Sequence, residues 1–92
     1  MIIEFTENFL DSLNAILDFI SKGSIDNAFK FRDELLQNIE DIKLFPYRFR
    51  KNLLLNNPDI RDLIFKKYII VFMIKQDKII ILNIYKYNLP KL

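Results

Sequence analysis

The 92-residue chain has no cysteine and no histidine, which excludes disulfides, thiol chemistry and the usual zinc and imidazole sites. Hydrophobic residues make up 51%, with nine Phe and four Tyr against one Gly and three Pro, so one folded domain over residues 1–92 is predicted rather than disorder. The net charge of +2 hides an asymmetry: residues 1–46 carry four basic and nine acidic residues (4 − 9 = −5), residues 47–92 ten basic and three acidic (10 − 3 = +7).

Such polarity points the second half at an anionic partner, nucleic acid or acidic polypeptide, unless the two halves compensate each other. No apolar run approaches the roughly 18 residues of a membrane span. The start, MIIEFTENF, lacks the basic region of a signal peptide. The expected location is the cytoplasm, with no membrane contact, no metal and no cofactor.

In chain order, residues 1–5 (MIIEF) predict a short first strand. Thr6 is a good N-cap with Glu7 behind it. Phe9, Leu10, Leu13, Ile16, Leu17 and Ile20 recur at helical spacing, with Asn8, Asp11, Asn14 and Asp18 opposite. Gly23, the only glycine, is expected to end this helix in a left-handed position. Ser24 caps a second helix whose apolar stripe runs from Ile25 through Ala28, Phe29, Leu35, Leu36 and Ile39 to about residue 43. The connection is too short for anything but an antiparallel helical hairpin. Phe29 and Phe31 read as packing residues. Pro46 stops the second helix.

The stretch Tyr47-Arg48-Phe49-Arg50-Lys51 interleaves aromatics with cations, as nucleic-acid surfaces do. The plain alternative has Tyr47 and Phe49 plugging the core while Arg48, Arg50 and Lys51 are solvated. Residues 52–59 read as a loop with a turn at Asn57-Pro58. Then come three strand-length runs rich in β-branched residues: Ile60–Phe65, Tyr68–Ile74 and 79–84. Lys66-Lys67 and the quartet Lys75-Gln76-Asp77-Lys78 join them. Strand, two helices and a three-stranded antiparallel meander make an α+β fold of two layers.

Strict alternation puts Tyr68, Ile70, Phe72 and Ile74 on one face, and Ile69, Val71, Met73 and Lys75 on the other. In the last strand it sets Ile80, Leu82, Ile84 and Lys86 against Ile79, Ile81, Asn83 and Tyr85. Both faces are apolar, and two helices cover only one. The second face, assigned Ile69, Val71, Met73, Ile79 and Ile81, is therefore expected to be covered by a partner, by the loop after the helices, or by a second copy.

The order of these elements resembles the RelE/ParE superfamily of bacterial toxins over nearly the whole chain. Arg61-Asp62-Leu63 is similar to its R-x-L segment, and Tyr68-Ile69-Ile70-Val71-Phe72 to Y-R-V-x-Y. Residues 79–84 with Lys86 are similar to the closing I-x-I-L-x-I and its basic end. The resemblance implies a toxin of a type II toxin–antitoxin system, of plasmid-stabilisation type, whose cognate antitoxin covers the apolar face. It leaves open the target (DNA gyrase, or the ribosome with its mRNA), homodimer against toxin–antitoxin hetero-oligomer, and a degenerate non-toxic module.

Ribosome-dependent RNases of the superfamily usually place Arg where this chain has Ile69, and Arg or His with Tyr after the last strand. Lys86 and Tyr87 stand there, and with Arg61 they are the candidate catalytic residues. Arg48, Arg50, Lys51, Lys66 and Lys67 are the candidate contacts to a target or nucleic acid. Cations suit phosphate charge, but activating a ribose 2′-hydroxyl needs a group that titrates near neutrality. A ParE-like inhibitor that acts by binding needs none, and this favours the binding reading. For Arg61, an ion pair with Asp59 or Asp62 is the competing expectation; for Lys66-Lys67, a plain turn.

Overall fold

A computed structural model describes residues 1–87; the end of the chain, residues 88–92, lies outside the described part. β1 (Ile2–Phe5) leads into α1 (Glu7–Gly23) and α2 (Ile25–Asp41), followed by 3-10 turns at Ile42–Leu44 and Pro46–Arg48. β2 (Arg50–Lys51), β3 (Ile60–Phe65), β4 (Tyr68–Ile74) and β5 (Lys78–Lys86) complete one five-stranded sheet of order β1-β5-β4-β3-β2. No helix among the described residues is long and apolar enough to cross a membrane.

The α+β arrangement and the antiparallel meander are as expected, with two additions. β1 closes the sheet beside β5 and runs parallel to it, Ile3 opposite Ile79. The stretch read as a continuous loop contributes β2, pairing Arg50 with Asp62 and Lys51 with Arg61. Two residues are too few for a periodic apolar signal, so only the tertiary pairing reveals that strand.

Both helices begin where side-chain oxygens can cap them. The Thr6 hydroxyl accepts from the Phe9 N–H at 3.1 Å, and the Ser24 hydroxyl from the Asn27 N–H at 3.1 Å. Gly23 departs from its expected role: it is the last residue of α1, and no glycine has a positive φ. Ser24 instead turns the chain in extended conformation while its N–H donates to the Ile20 carbonyl. Serving as N-cap of α2, Ser24 makes a left-handed residue unnecessary.

The helices cover one sheet face. Phe9, Leu13, Phe31, Leu35 and Ile39 meet Ile70, Phe72, Ile74, Ile79, Ile81 and Ile84 in one core. β4 alternates as expected, but β5 does not. Ile70 pairs with Ile84, Val71 with Asn83 and Phe72 with Ile81, so Leu82 is an extra residue in a β-bulge. The bulge reverses the parity of β5, so Ile79, Ile81 and Ile84 all face the helices. It is stitched to the helical layer: the Thr6 hydroxyl donates to the Leu82 carbonyl at 2.7 Å, and the Ser12 hydroxyl to Asn83 Oδ1 at 2.8 Å. Phe49 packs partly buried against this core, edge-on to Phe72, while Tyr47 stays exposed.

Candidate functional site

The sheet face turned away from the helices has its own floor. Ile60 on β3 with Ile69 and Val71 on β4 are buried there, with Met73, Leu82 and Tyr87 packed half-buried around them. Of the five residues assigned to this face from sequence, Ile79 and Ile81 do not belong to it. They are fully buried in the helix-side core because the bulge turns them inward. Ile69 and Val71 are on the face but form its buried floor, and Met73 is at half depth. The exposed apolar surface of this face is thus smaller than alternation predicts, and Ile64 and Tyr85 contribute to it.

A polar cluster interrupts the floor. Asp62 is buried in the middle of β3 and accepts from Arg50 Nε at 3.2 Å and from Asn52 Nδ2 at 2.8 Å. A buried carboxylate is costly without such partners. Asn52, also buried, accepts the Leu54 and Leu55 N–H groups at 3.0 and 2.8 Å, which fixes the loop after β2. The Arg50 guanidinium lies over the Tyr87 ring, 5.8 Å from its centroid. Burial, with Asp62 adding to it and Arg50 opposing, raises the Tyr85 phenol above its ordinary pKa. The sequence carried one signal for this cluster: Asp62 stands between Ile60 and Ile64 at same-face spacing in an apolar strand.

Arg61 is committed to structure. Its Nε donates to the Pro58 carbonyl at 2.9 Å, and its Nη1 to the carbonyls of Tyr47 and Phe49 at 3.1 and 2.9 Å. Its guanidinium also stacks on the Tyr47 ring at 4.9 Å. It therefore clamps both ends of the loop after α2, and its hydrogen bonds go to carbonyls rather than to Asp59 or Asp62. Asp59 instead accepts the Tyr47 hydroxyl at 2.8 Å, and that hydrogen bond is the main reason the Tyr47 phenol is raised.

The remaining cations separate. Lys66 occupies the first position of the two-residue β3–β4 turn with φ 53, a left-handed conformation that non-glycine residues adopt at some cost. Its Nζ leaves the sheet for Glu34 on α2 at 3.0 Å and lies near the Phe31 and Phe65 rings. Lys67 and Lys86 are exposed at the same end of the sheet, where the Lys67 carbonyl accepts the Tyr87 N–H at 2.6 Å. The structure thus brings Lys67, Lys86, Tyr85 and Tyr87 to one end, with Arg50 reaching Asp62 and the Tyr87 ring from edge strand β2. Arg48 and Lys51 are exposed on the far-edge segment, and Arg61 is drawn away from the group.

No curated protein matches the chain. Among solved structures, it is similar to a chain of the chromosomal ParDE TA system from P. aeruginosa. The TM-score is 0.77 at 19% identity over 96% of this chain and 97% of that one. At such low identity the likeness carries the fold alone. A family model described as the ParE toxin of the type II toxin–antitoxin system parDE matches residues 3–86. With the whole helical layer and every strand residue but Ile2 inside that match, the chain belongs to the ParE toxin family.

Proposed function

We propose that this toxin arrests growth by binding a gyrase-type topoisomerase rather than by cutting RNA, and that its antitoxin covers the open sheet face. The observation that carries the binding reading is the chemistry of that face. Its buried carboxylate, Asp62, is held by Arg50 and Asn52, and Glu4 on its β1 edge is paired with Lys78. The chain has no histidine, and the Tyr85 phenol is pushed away from the phenolate a base would need. Cleaving RNA at a 2′-hydroxyl requires a proton acceptor near neutrality; binding requires only shape and charge. The apolar floor, with Ile64, Met73 and Tyr85 at its surface, supports an antitoxin segment that is apolar on one side.

A second reading, ribosome-dependent mRNA cleavage, is favoured by the grouping of Lys67 and Lys86 with Tyr85 and Tyr87, since cations beside aromatic rings suit single-stranded RNA. The test is induction of the chain alone and with an antitoxin gene. Binding to gyrase gives growth arrest with a DNA-damage response and intact transcripts, relieved by the antitoxin. Transcripts cut within codons establish the RNase reading. Harmless expression leaves only a degenerate interaction module.

A further inference from the structure

A continuous chain of contacts joins the open sheet face to the loop after β2. Tyr87, just past the end of β5, packs half-buried on the floor of Ile60, Ile69 and Val71, and its N–H donates to the Lys67 carbonyl at 2.6 Å. The Arg50 guanidinium lies over the Tyr87 ring, 5.8 Å from its centroid, and its Nε donates to Asp62 Oδ2 at 3.2 Å. Asp62 Oδ1 accepts from Asn52 Nδ2 at 2.8 Å. Asn52 Oδ1 in turn accepts the Leu54 and Leu55 N–H groups at 3.0 and 2.8 Å.

Leu53 and Leu54 are the most exposed large apolar side chains among the described residues, at 91% and 84%. Side chains standing in water gain nothing from burial, so the shape of this tip depends on its hydrogen bonds. Two of them end on Asn52. Asn52 and Asp62 are themselves buried, 6% and 5% exposed, and cannot exchange a lost partner for water in place. A buried carboxylate deprived of its guanidinium must turn toward another donor, and the Asn52 amide bonded to it turns with it.

We propose that these contacts form a coupling device: an apolar segment that occupies the floor displaces the Tyr87 ring from Arg50, and the Leu53-Leu54-Leu55 tip loosens as a result. The form of the loop then depends on whether the face is filled, although the occupant never touches the loop. Coupling of this kind is reciprocal, so a partner that grips the tip in its fixed form holds Tyr87 on the floor and opposes the occupant. The biological use of the device rests on the reading that an antitoxin segment covers this face. The contacts themselves are present in the free chain, and they are tested there without an antitoxin.

The experiment measures amide–water exchange by NMR on the purified full-length chain. The Leu54 and Leu55 amides report the tip, and the Ile70 and Phe72 amides of central strand β4 report opening of the whole fold. Tyr87→Ala is expected to speed exchange at Leu54 and Leu55 about two- to fivefold, the share that a half-exposed cation–ring contact supplies. Tyr87→Phe keeps the ring and stays at the parent rate. Should Tyr87→Ala fold poorly, Tyr87→Leu removes the ring while keeping an apolar side chain on the floor, and gives the same acceleration. Arg50→Gln speeds the two amides at least as much, and adding Tyr87→Ala to it brings no further change, because both act through the guanidinium. Ile70 and Phe72 exchange at the parent rate throughout. Unchanged Leu54 and Leu55 exchange in Tyr87→Ala, a Phe variant that behaves like Ala, additive effects in the double variant, or equal acceleration at Ile70 and Phe72 overturns the coupling. Each of these leaves the docking reading to stand or fall on the induction experiment.

Discussion

Replacing Thr6 by Ala removes two interactions made by one hydroxyl. In the native chain Oγ1 accepts the Phe9 N–H at 3.1 Å, capping α1, and donates to the Leu82 carbonyl at 2.7 Å, tying the bulge of β5 to the helical layer. Losing the cap costs about 1 kcal/mol. Leaving the half-buried Leu82 carbonyl without its partner costs about 1 kcal/mol more. A total near 2 kcal/mol, with a urea slope of about 1.5 kcal/mol/M for a domain of this size, lowers the unfolding midpoint by about 1.3 M. Thr6→Ser keeps the hydroxyl and stays within about 0.5 kcal/mol of the parent. Urea titration followed by circular dichroism measures both. A shift below about 0.3 M for Thr6→Ala, or equal losses for Ala and Ser, refutes the dual role, the second outcome because it assigns the loss to the methyl group.

Gly23→Ala is expected to stabilise by about 0.5–1 kcal/mol, because the position is helical and an added Cβ meets nothing within 4 Å; thermal unfolding measures it. Arg61→Ala frees the carbonyls of Tyr47, Phe49 and Pro58 and is expected to cost about 2–3 kcal/mol. Limited proteolysis should then cut first within residues 45–59. The Tyr47 phenol should ionise above its ordinary pKa of 10.0 while Asp59 accepts its hydrogen bond. The folded form thus holds this proton more tightly than the unfolded one, so its contribution to stability is intact below pH 10 and lost as pH rises beyond it. In Asp59→Asn the phenol's ultraviolet titration midpoint falls back toward the ordinary value, identified by difference against Tyr47→Phe.

Helix starts, the antiparallel meander and the helix-facing side of β4 were legible in the sequence because each rests on local signals. Thr6 and Ser24 are capping residues before apolar stripes, and β4 alternates without interruption. What was not legible depends on contacts distant in sequence. The bulge at Leu82 has no marker such as glycine; it follows from how Val71 and Phe72 pair with Asn83 and Ile81, and from Thr6 waiting to receive the displaced carbonyl. One extra residue was enough to move Ile79 and Ile81 from the expected docking surface into the core. Gly23 misled in the opposite way, since its composition signal is strong but Ser24 alone makes the turn. Among the candidate site residues, Lys86 and Tyr87 fell where a last strand must end, whereas Arg61 could not be told from a functional cation. Its partners are carbonyls, which leave no trace in a sequence.

The most direct test of the binding reading is gyrase-catalysed supercoiling of relaxed plasmid in the presence of the purified chain. The expected result is loss of supercoiling or accumulation of cleaved DNA–gyrase complexes at stoichiometric toxin, reversed by the antitoxin and retained in Lys86→Ala. Unaffected supercoiling, together with codon-specific cleavage of mRNA on purified translating ribosomes that Lys86→Ala abolishes, would contradict it.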